Sequence, residues 1–218
     1  HHISNGFFGG INLVDTGAAA TGEIAYALVK ALGVEMDAEI ASSLYTAIVT
    51  DTGSFQFENT TFQTHLIAAE LLKHGTDLAT IRTYLWESTP LESIRLITET
   101  LTTLELDETC RIAWVTMPYE VFQRFGSTTE HLEGIVNYAK SIRGVEIAIV
   151  FKEYEPNRIK VGLRSKRVVD VNKLAQSLGG GGHKRASGCI IEGSLEEAKR
   201  IVLREAKKHL DGISAQGG

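Results

Sequence analysis

Residues 179–188 read Gly179-Gly180-Gly181-Gly182-His183-Lys184-Arg185-Ala186-Ser187-Gly188. Ordering four consecutive glycines costs more backbone entropy than ordering any other tetrapeptide. A chain tolerates that cost where its backbone must approach something closely or adopt positive φ. The run leads straight into His, Lys and Arg, three side chains able to donate to a phosphate. Backbone N–H groups in such a turn form an anion-binding concavity. The stretch therefore reads as a phosphate or nucleotide cradle with three donors at its lip. The competing reading is a flexible linker followed by chance cations, although such linkers are usually Ser-rich and uncharged. A Walker-type loop is excluded, since no glycine directly precedes Lys184 and no Ser or Thr follows it.

Working outward, Asp170 caps a helix that reaches Leu178 and runs into the glycines. Beyond them, Cys189–Glu192 reads as a strand. Ser194–Leu210 reads as a helix opened by the capping pair Ser194 and Glu197. Upstream, Val145–Lys152 and Arg158–Arg164 read as strands joined by the turn Tyr154-Glu155-Pro156-Asn157. Arg111–Met117 is a further strand, with helices near Pro118–Phe125 and Thr129–Ile142. The first half is different in character. After a short strand at Ile11–Val14 it is helical, over Ala20–Leu32, Asp37–Val49, Thr61–His74, Asp77–Trp86 and Pro90–Leu104. The fold class is α/β. A helix-rich part over residues 1–88 is followed by a connector helix over 89–106, an α/β domain with a small mixed sheet over 107–212, and a tail over 213–218.

The chain has 218 residues, of which 43% are hydrophobic and 22% charged, enough to bury a core of useful size. With 22 Lys and Arg against 27 Asp and Glu, its net charge is −5. That excludes a general nucleic-acid coat, and any anionic ligand must be held by a local basic site. Cys110 and Cys189 have no metal-type spacing, which fits a reduced, cytoplasmic protein. No apolar run approaches membrane-spanning length. The first residue is His rather than Met, so the expectation is a start downstream of a processed or preceding segment.

Three further groups bear on chemistry. His1-His2 is either the remnant of an affinity tag or a pair of metal-ligating imidazoles. The continuation into Ile-Ser-Asn is not tag-like. Asp51 ends an apolar helix in Ile48-Val49-Thr50-Asp51-Thr52-Gly53-Ser54-Phe55-Gln56-Phe57, placed to point into a cleft; the alternative is a plain helix stop. Its Asp-Thr-Gly triplet does not make an aspartic protease, because no second triplet and no all-β pattern accompany it. Arg164-Ser165-Lys166-Arg167 follows a strand with three cations and a hydroxyl, either a phosphate-binding fork or an exposed basic turn. His65, His74, His131 and His209 read as surface or capping residues. Trp86, Trp114 and Tyr138 read as core, and Cys189 as a buried small hydrophobe.

Taken together, these residues resemble the DHH/DHHA1 phosphoesterase superfamily. The run 179–188 resembles the signature of the C-terminal DHHA1 domain, and His1-His2 resembles the histidines of the Asp-His-His motif. Asp51 falls at the fourth motif, whose Asp is a metal ligand. The stretch Asp51–Thr61, with Thr21-Gly22-Glu23 after Asn12–Asp15, is similar to the group of bifunctional oligoribonucleases and 3′-phosphoadenosine-5′-phosphate (pAp) phosphatases. The resemblance implies a helix-rich C-terminal part of a DHH domain followed by a DHHA1 domain. It implies hydrolysis of short oligoribonucleotides to mononucleotides, or removal of the 3′-phosphate of pAp, with two Mn²⁺ ions as cofactor (Mg²⁺ as the substitute). His1, His2 and Asp51 would be catalytic, with His1 and Asp51 as metal ligands. Arg164, Ser165, Gly180, Gly181, Gly182, His183 and Lys184 would bind substrate. The partners implied are short RNA, a nucleotide bisphosphate or single-stranded nucleic acid, with no membrane and with a homodimer allowed. The superfamily's first two motifs have no counterpart here, so a preceding segment of roughly a hundred residues is expected. Two alternatives stay open. One is a RecJ-like single-strand DNA exonuclease or a cyclic-dinucleotide phosphodiesterase. The other is a non-catalytic nucleotide-binding module.

Overall fold

The computed structural model describes residues 1, 6–125 and 134–214. The chain divides into two compact units, His1–Ser88 and Thr89–Gly218. The described residues of the first unit form α1 (Thr21–Ala31), α2 (Ala38–Asp51), α3 (Phe62–Lys73) and α4 (Leu78–Trp86). Each of the last three begins at a side-chain cap. Asp37 accepts from the Ile40 N–H at 2.8 Å, Thr61 and Thr64 cap each other's backbone, and Asp77 accepts from Thr80. Ala20, Met36, Ala41, Leu44, Ile48, Ile67 and Leu71 pack into one core. Gly22 lets α1 lie close on α2, because a Cβ there would sit 3.1 Å from the Leu44 carbonyl.

The strand expected at Ile11–Val14 does not form. The segment is irregular and Ile11 is 95% exposed. A strand needs a neighbour for its N–H and C=O groups, and every strand among the described residues belongs to the second unit. Trp86 is also not core, being 51% exposed. It lies about 140° around α4 from Ile81, that helix's buried residue.

The second unit opens with α5 (Leu91–Leu101), for which Pro90 is the N-cap. It continues through β1 (Glu105–Leu106), β2 (Ile112–Met117), α6 (Tyr119–Phe125), α7 (Ile135–Ser141), β3 (Ile147–Glu155) and β4 (Arg158–Ser165). It ends with α8 (Val171–Ser177), β5 (Gly181–His183), β6 (Ala186–Glu192) and α9 (Leu195–Ser214). The strands form one mixed sheet in the order β1-β2-β3-β4-β6-β5, parallel between β2 and β3 and antiparallel elsewhere. The parallel pair is joined by a crossover connection that includes α6 and α7.

Alternation along the strands sorts the side chains into two layers. Ile147, Ile149, Phe151, Ile159, Val161 and Leu163 pack with Val171 and Leu174 of α8 and with Ala198, Val202 and Ala206 of α9. On the opposite face, Ala113 and Ala148 pack with Val136 and Ala139 of α7, and Val115 and Met117 with Leu96 of α5. Tyr138, expected in the core, is 55% exposed on the outer side of α7. Trp114 is buried as expected, and its indole N–H donates to Glu105 at 2.9 Å. His131 lies outside the described residues. No helix among the described residues is long and apolar enough to cross a membrane.

Candidate functional site

The glycine run is an ordered element rather than a linker. Its first two amides finish α8, where the Gly179 N–H donates to Gln176 O at 3.1 Å and the Gly180 N–H to Ala175 O at 2.8 Å. Gly179 takes φ +76° and Gly182 φ +147°. The chain then turns into β5 and runs back along β6. What the glycines approach closely is their own neighbouring strand. A Cβ on Gly180 would lie 2.2 Å from Gly188 O, and one on Gly182 would lie 2.7 Å from Ala186 O. Of the glycines expected to bind substrate, Gly180 has its amide engaged within the chain. Gly180 spends its N–H on α8 and its Cα on β6, so it shapes the loop.

The register brings the basic residues to this loop. Gly162 on β4 opposes Gly188 on β6, which opposes Gly181 on β5. In the adjoining row Arg164 opposes Ala186, which opposes His183. Three neighbouring strands thus present a row of glycines edged by a row with an Arg and a His at its ends. Burial alternates along β4, with Ile159, Val161, Leu163 and Ser165 buried and Lys160 exposed. Arg164 therefore projects from the face opposite α8 and α9. Arg offers a planar fork for phosphate and His a further donor, over a floor with almost no side-chain bulk. Lys184 is exposed at the tip of the β5–β6 turn, and its carbonyl accepts from the Val171 N–H at 3.0 Å.

Ser165 has a different role from the one expected. It is 3% exposed, on the α8–α9 side, and its hydroxyl donates to Val169 O at 2.7 Å. It fixes the turn that follows Arg164. Arg185 and Ser187 do related work, donating to Val169 O at 2.9 Å and to Val171 O at 2.6 Å. Three residues of this region escaped sequence reading. Gly162 forms part of the glycine row. Glu146 is buried and accepts from the amides of Arg167, Val168 and Val169. Lys140 lies on α7. Lone residues of these types carry no motif; sheet register reveals Gly162, and helix packing and loop capping reveal the other two.

The first unit holds the other candidate residues. His1 Nε2 stands 3.4 Å from Asp51 Oδ2. His2 lies outside the described residues. Asp51 is the last residue of α2, and the backbone beyond it is strained. Gly53, Ser54 and Phe55 take φ +55°, +59° and +63° in succession, a conformation costly for a bulky residue such as Phe. Local bonds hold this turn. Thr52 donates to Ile48 O at 2.7 Å and accepts from the Phe55 N–H at 3.1 Å. The Phe55 ring stacks on His65 at 5.1 Å, so His65 serves the turn. The Asn59 side-chain amide donates to Ala19 O at 2.9 Å and to Asp51 O at 3.1 Å, tying the start of α1 to the end of α2. Glu23 caps back onto the Ala19 N–H at 2.9 Å, and its Oε1 is buried without a partner among the described residues.

His1 and Asp51 are right in kind for Mn²⁺ or Mg²⁺, an imidazole and a carboxylate side by side. They are short in number. Among the described residues no three His, Cys, Asp or Glu side chains converge, and two ligands do not hold a catalytic metal pair.

Residues 115–210 match the DHHA1 domain family. Over 211 residues the chain is 33% identical to the bifunctional oligoribonuclease and PAP phosphatase NrnA of Thermus thermophilus, covering 96% of this chain and 63% of that protein. The chain belongs to the DHH/DHHA1 superfamily. Within this superfamily it is NrnA-like, being also 33% identical over 205 residues to the NrnA of Bacillus subtilis, with 93% of this chain and 64% of that protein covered. A crystal structure of an exopolyphosphatase-related protein from Bacteroides fragilis superposes with a TM-score of 0.90 at 27% identity. That match covers 98% of this chain and 64% of the other. The chain thus spans just under two thirds of the length of the NrnA relatives it matches. The DHHA1 match covers both rows of the candidate site and the glycine run.

Proposed function

We propose that this DHH/DHHA1 protein is a metal-dependent phosphoesterase that cleaves short oligoribonucleotides to mononucleotides and removes the 3′-phosphate of pAp. The observation that carries the reading is the pair of rows Gly162–Gly188–Gly181 and Arg164–Ala186–His183. The glycine row adds no side chains of its own beside the Arg and His, which take a phosphate. The NrnA relatives, whose names state these two activities, support the choice of substrate.

In this reading His1 and Asp51 belong to the ligand set of a two-ion Mn²⁺ centre, and His2 orients the site or the phosphate. Such a centre supplies an activated water and neutralises charge on the phosphoryl group when bound. The residues of this chain do the rest. Asn59 and the strained turn at 53–55 fix Asp51, and Arg164, His183 and Lys184 hold the nucleotide.

The test is hydrolysis of a diribonucleotide and of pAp with Mn²⁺. Cleavage of both, abolished by Asp51→Ala, is the expected result. Near-normal turnover in Asp51→Ala contradicts the role given to Asp51. Preference for single-stranded DNA or a cyclic dinucleotide moves the protein to another branch of the superfamily. Nucleotide binding without turnover leaves a binding module.

A further inference from the structure

The turn after α2 presents an aromatic ring in a defined pose. Phe57 follows the strained residues Gly53, Ser54 and Phe55 and is 55% exposed. A Cβ placed on Gly53 would lie 2.4, 2.5 and 2.6 Å from Cζ, Cε1 and Cε2 of the Phe57 ring. Distances this nearly equal put the Cβ position above the ring plane. An approach within the plane would leave both Cε atoms clearly farther away than Cζ. The Phe57 ring therefore lies face-on over Gly53, and its exposed area belongs to the other face.

The backbone holds the ring in that place. The N–H groups of Gln56 and Phe57 both donate to Thr52 O at 3.0 Å, and the Phe57 carbonyl accepts from the Thr60 N–H at 3.0 Å. Asn59 closes the segment onto the end of α2 through Asp51 O. The two phenylalanines of the turn are used differently. Phe55 is half-buried against Tyr45 and His65, whereas Phe57 is turned to solvent. Residues 53–55 form the only run of consecutive positive φ values among the described residues. Strain of this kind persists where the surroundings enforce it, and it collects at ligand sites. A lone exposed apolar side chain asks for no explanation. A ring clamped flat on a glycine by a strained turn, two residues after Asp51, is a surface with one free π-face, and that is the shape a nucleobase stacks on.

We propose that the outward face of Phe57 is a stacking platform for a base of the bound oligoribonucleotide. The inference rests on the oligoribonucleotide reading given above. It adds a contact to the base, made from the turn that follows Asp51, to the phosphate contacts of Arg164 and His183. A π-face accepts every base, and a purine, having the larger face, gains more from it than a pyrimidine.

Isothermal titration of the protein with diadenylate and with diuridylate, without added metal, tests this. Wild type is expected to bind diadenylate more tightly. Phe57→Leu keeps an apolar residue but removes the ring. It should weaken diadenylate about tenfold, the scale of one lost base stack, and diuridylate by no more than about threefold. Phe57→Tyr should restore most of the loss. Thermal melting of each variant confirms that folded proteins are compared. Wild-type affinity for diadenylate in Phe57→Leu overturns the proposal. Equal losses for both ligands also overturn it, since they mark Phe57 as a support of the turn. Failure of wild type to bind either ligand overturns the oligoribonucleotide reading itself.

Discussion

Gly162 on β4 and Gly188 on β6 are cross-strand partners, and neither has room for a Cβ. At Gly162 it would meet Val150 Cγ1 at 2.8 Å, and at Gly188 it would meet Val161 O at 2.8 Å. The glycine row is thus also a place of close packing in the sheet. The same need for close approach is greatest at Gly180, 2.2 Å from Gly188 O.

Alanine substitutions should therefore be graded by what the new methyl meets. Gly180→Ala pushes on backbone and is expected to destabilise by about 2–3 kcal/mol. Gly162→Ala pushes on one valine methyl, which can shift, and should cost about 1 kcal/mol. Urea unfolding measures both, and the reverse order would contradict this account of the loop.

Asp107 gives the second unit an acid-sensitive contact. It is 8% exposed and accepts from Thr109 Oγ1 at 2.6 Å, Ile112 N at 2.8 Å and Arg111 N at 2.9 Å. Burial pushes its carboxyl up, but the hydrogen bonds from Thr109, Ile112 and Arg111 outweigh it and hold the group below the usual range. A carboxylate with a lowered folded-state pKa stabilises above its unfolded value of about 4, and the benefit is lost as pH falls through the folded value. Asp107→Ala should cost about 2 kcal/mol at pH 7. The gap to wild type should narrow steadily below about pH 4, as denaturant titrations across pH would register.

The two cysteines provide a probe of sheet integrity. Cys110 is exposed, whereas Cys189 is buried in β6 with its thiol pushed up to about 11 by burial. One thiol per chain should react with an aromatic disulfide reagent in the native state, and the second only on unfolding. Prompt reaction of both would mean that β6 does not pack on α8 and α9 as described.

Much of this arrangement was legible in the sequence because it rests on local chemistry. Asp37, Thr61, Asp77, Asp170 and Ser194 each mark a helix start that is observed, since a cap acts within three residues. The β3–β4 hairpin follows from its turn, where Asn157 takes φ +61°. The glycine run announced positive φ and close approach, and both are present. What it did not announce is the object approached, because pairing of Gly181–His183 with β6 is a tertiary fact. Ser165 and Arg164 look equivalent in a basic tetrapeptide, yet alternation along β4 sends one into the core and the other to the opposite face. Ile11–Val14 has the composition of a strand, but composition does not supply a partner. Lys140 and Glu146 reach the site through helix packing and loop capping, which no local pattern encodes.

The most direct test of the central claim is the affinity for pAp, measured by isothermal titration, of wild type and of His183→Ala. If the row containing Arg164 and His183 holds the nucleotide, His183→Ala should weaken binding by about 1–3 kcal/mol with the fold intact. Unchanged affinity in His183→Ala would remove His183 from the site and contradict the assignment of this sheet face as the nucleotide-binding surface.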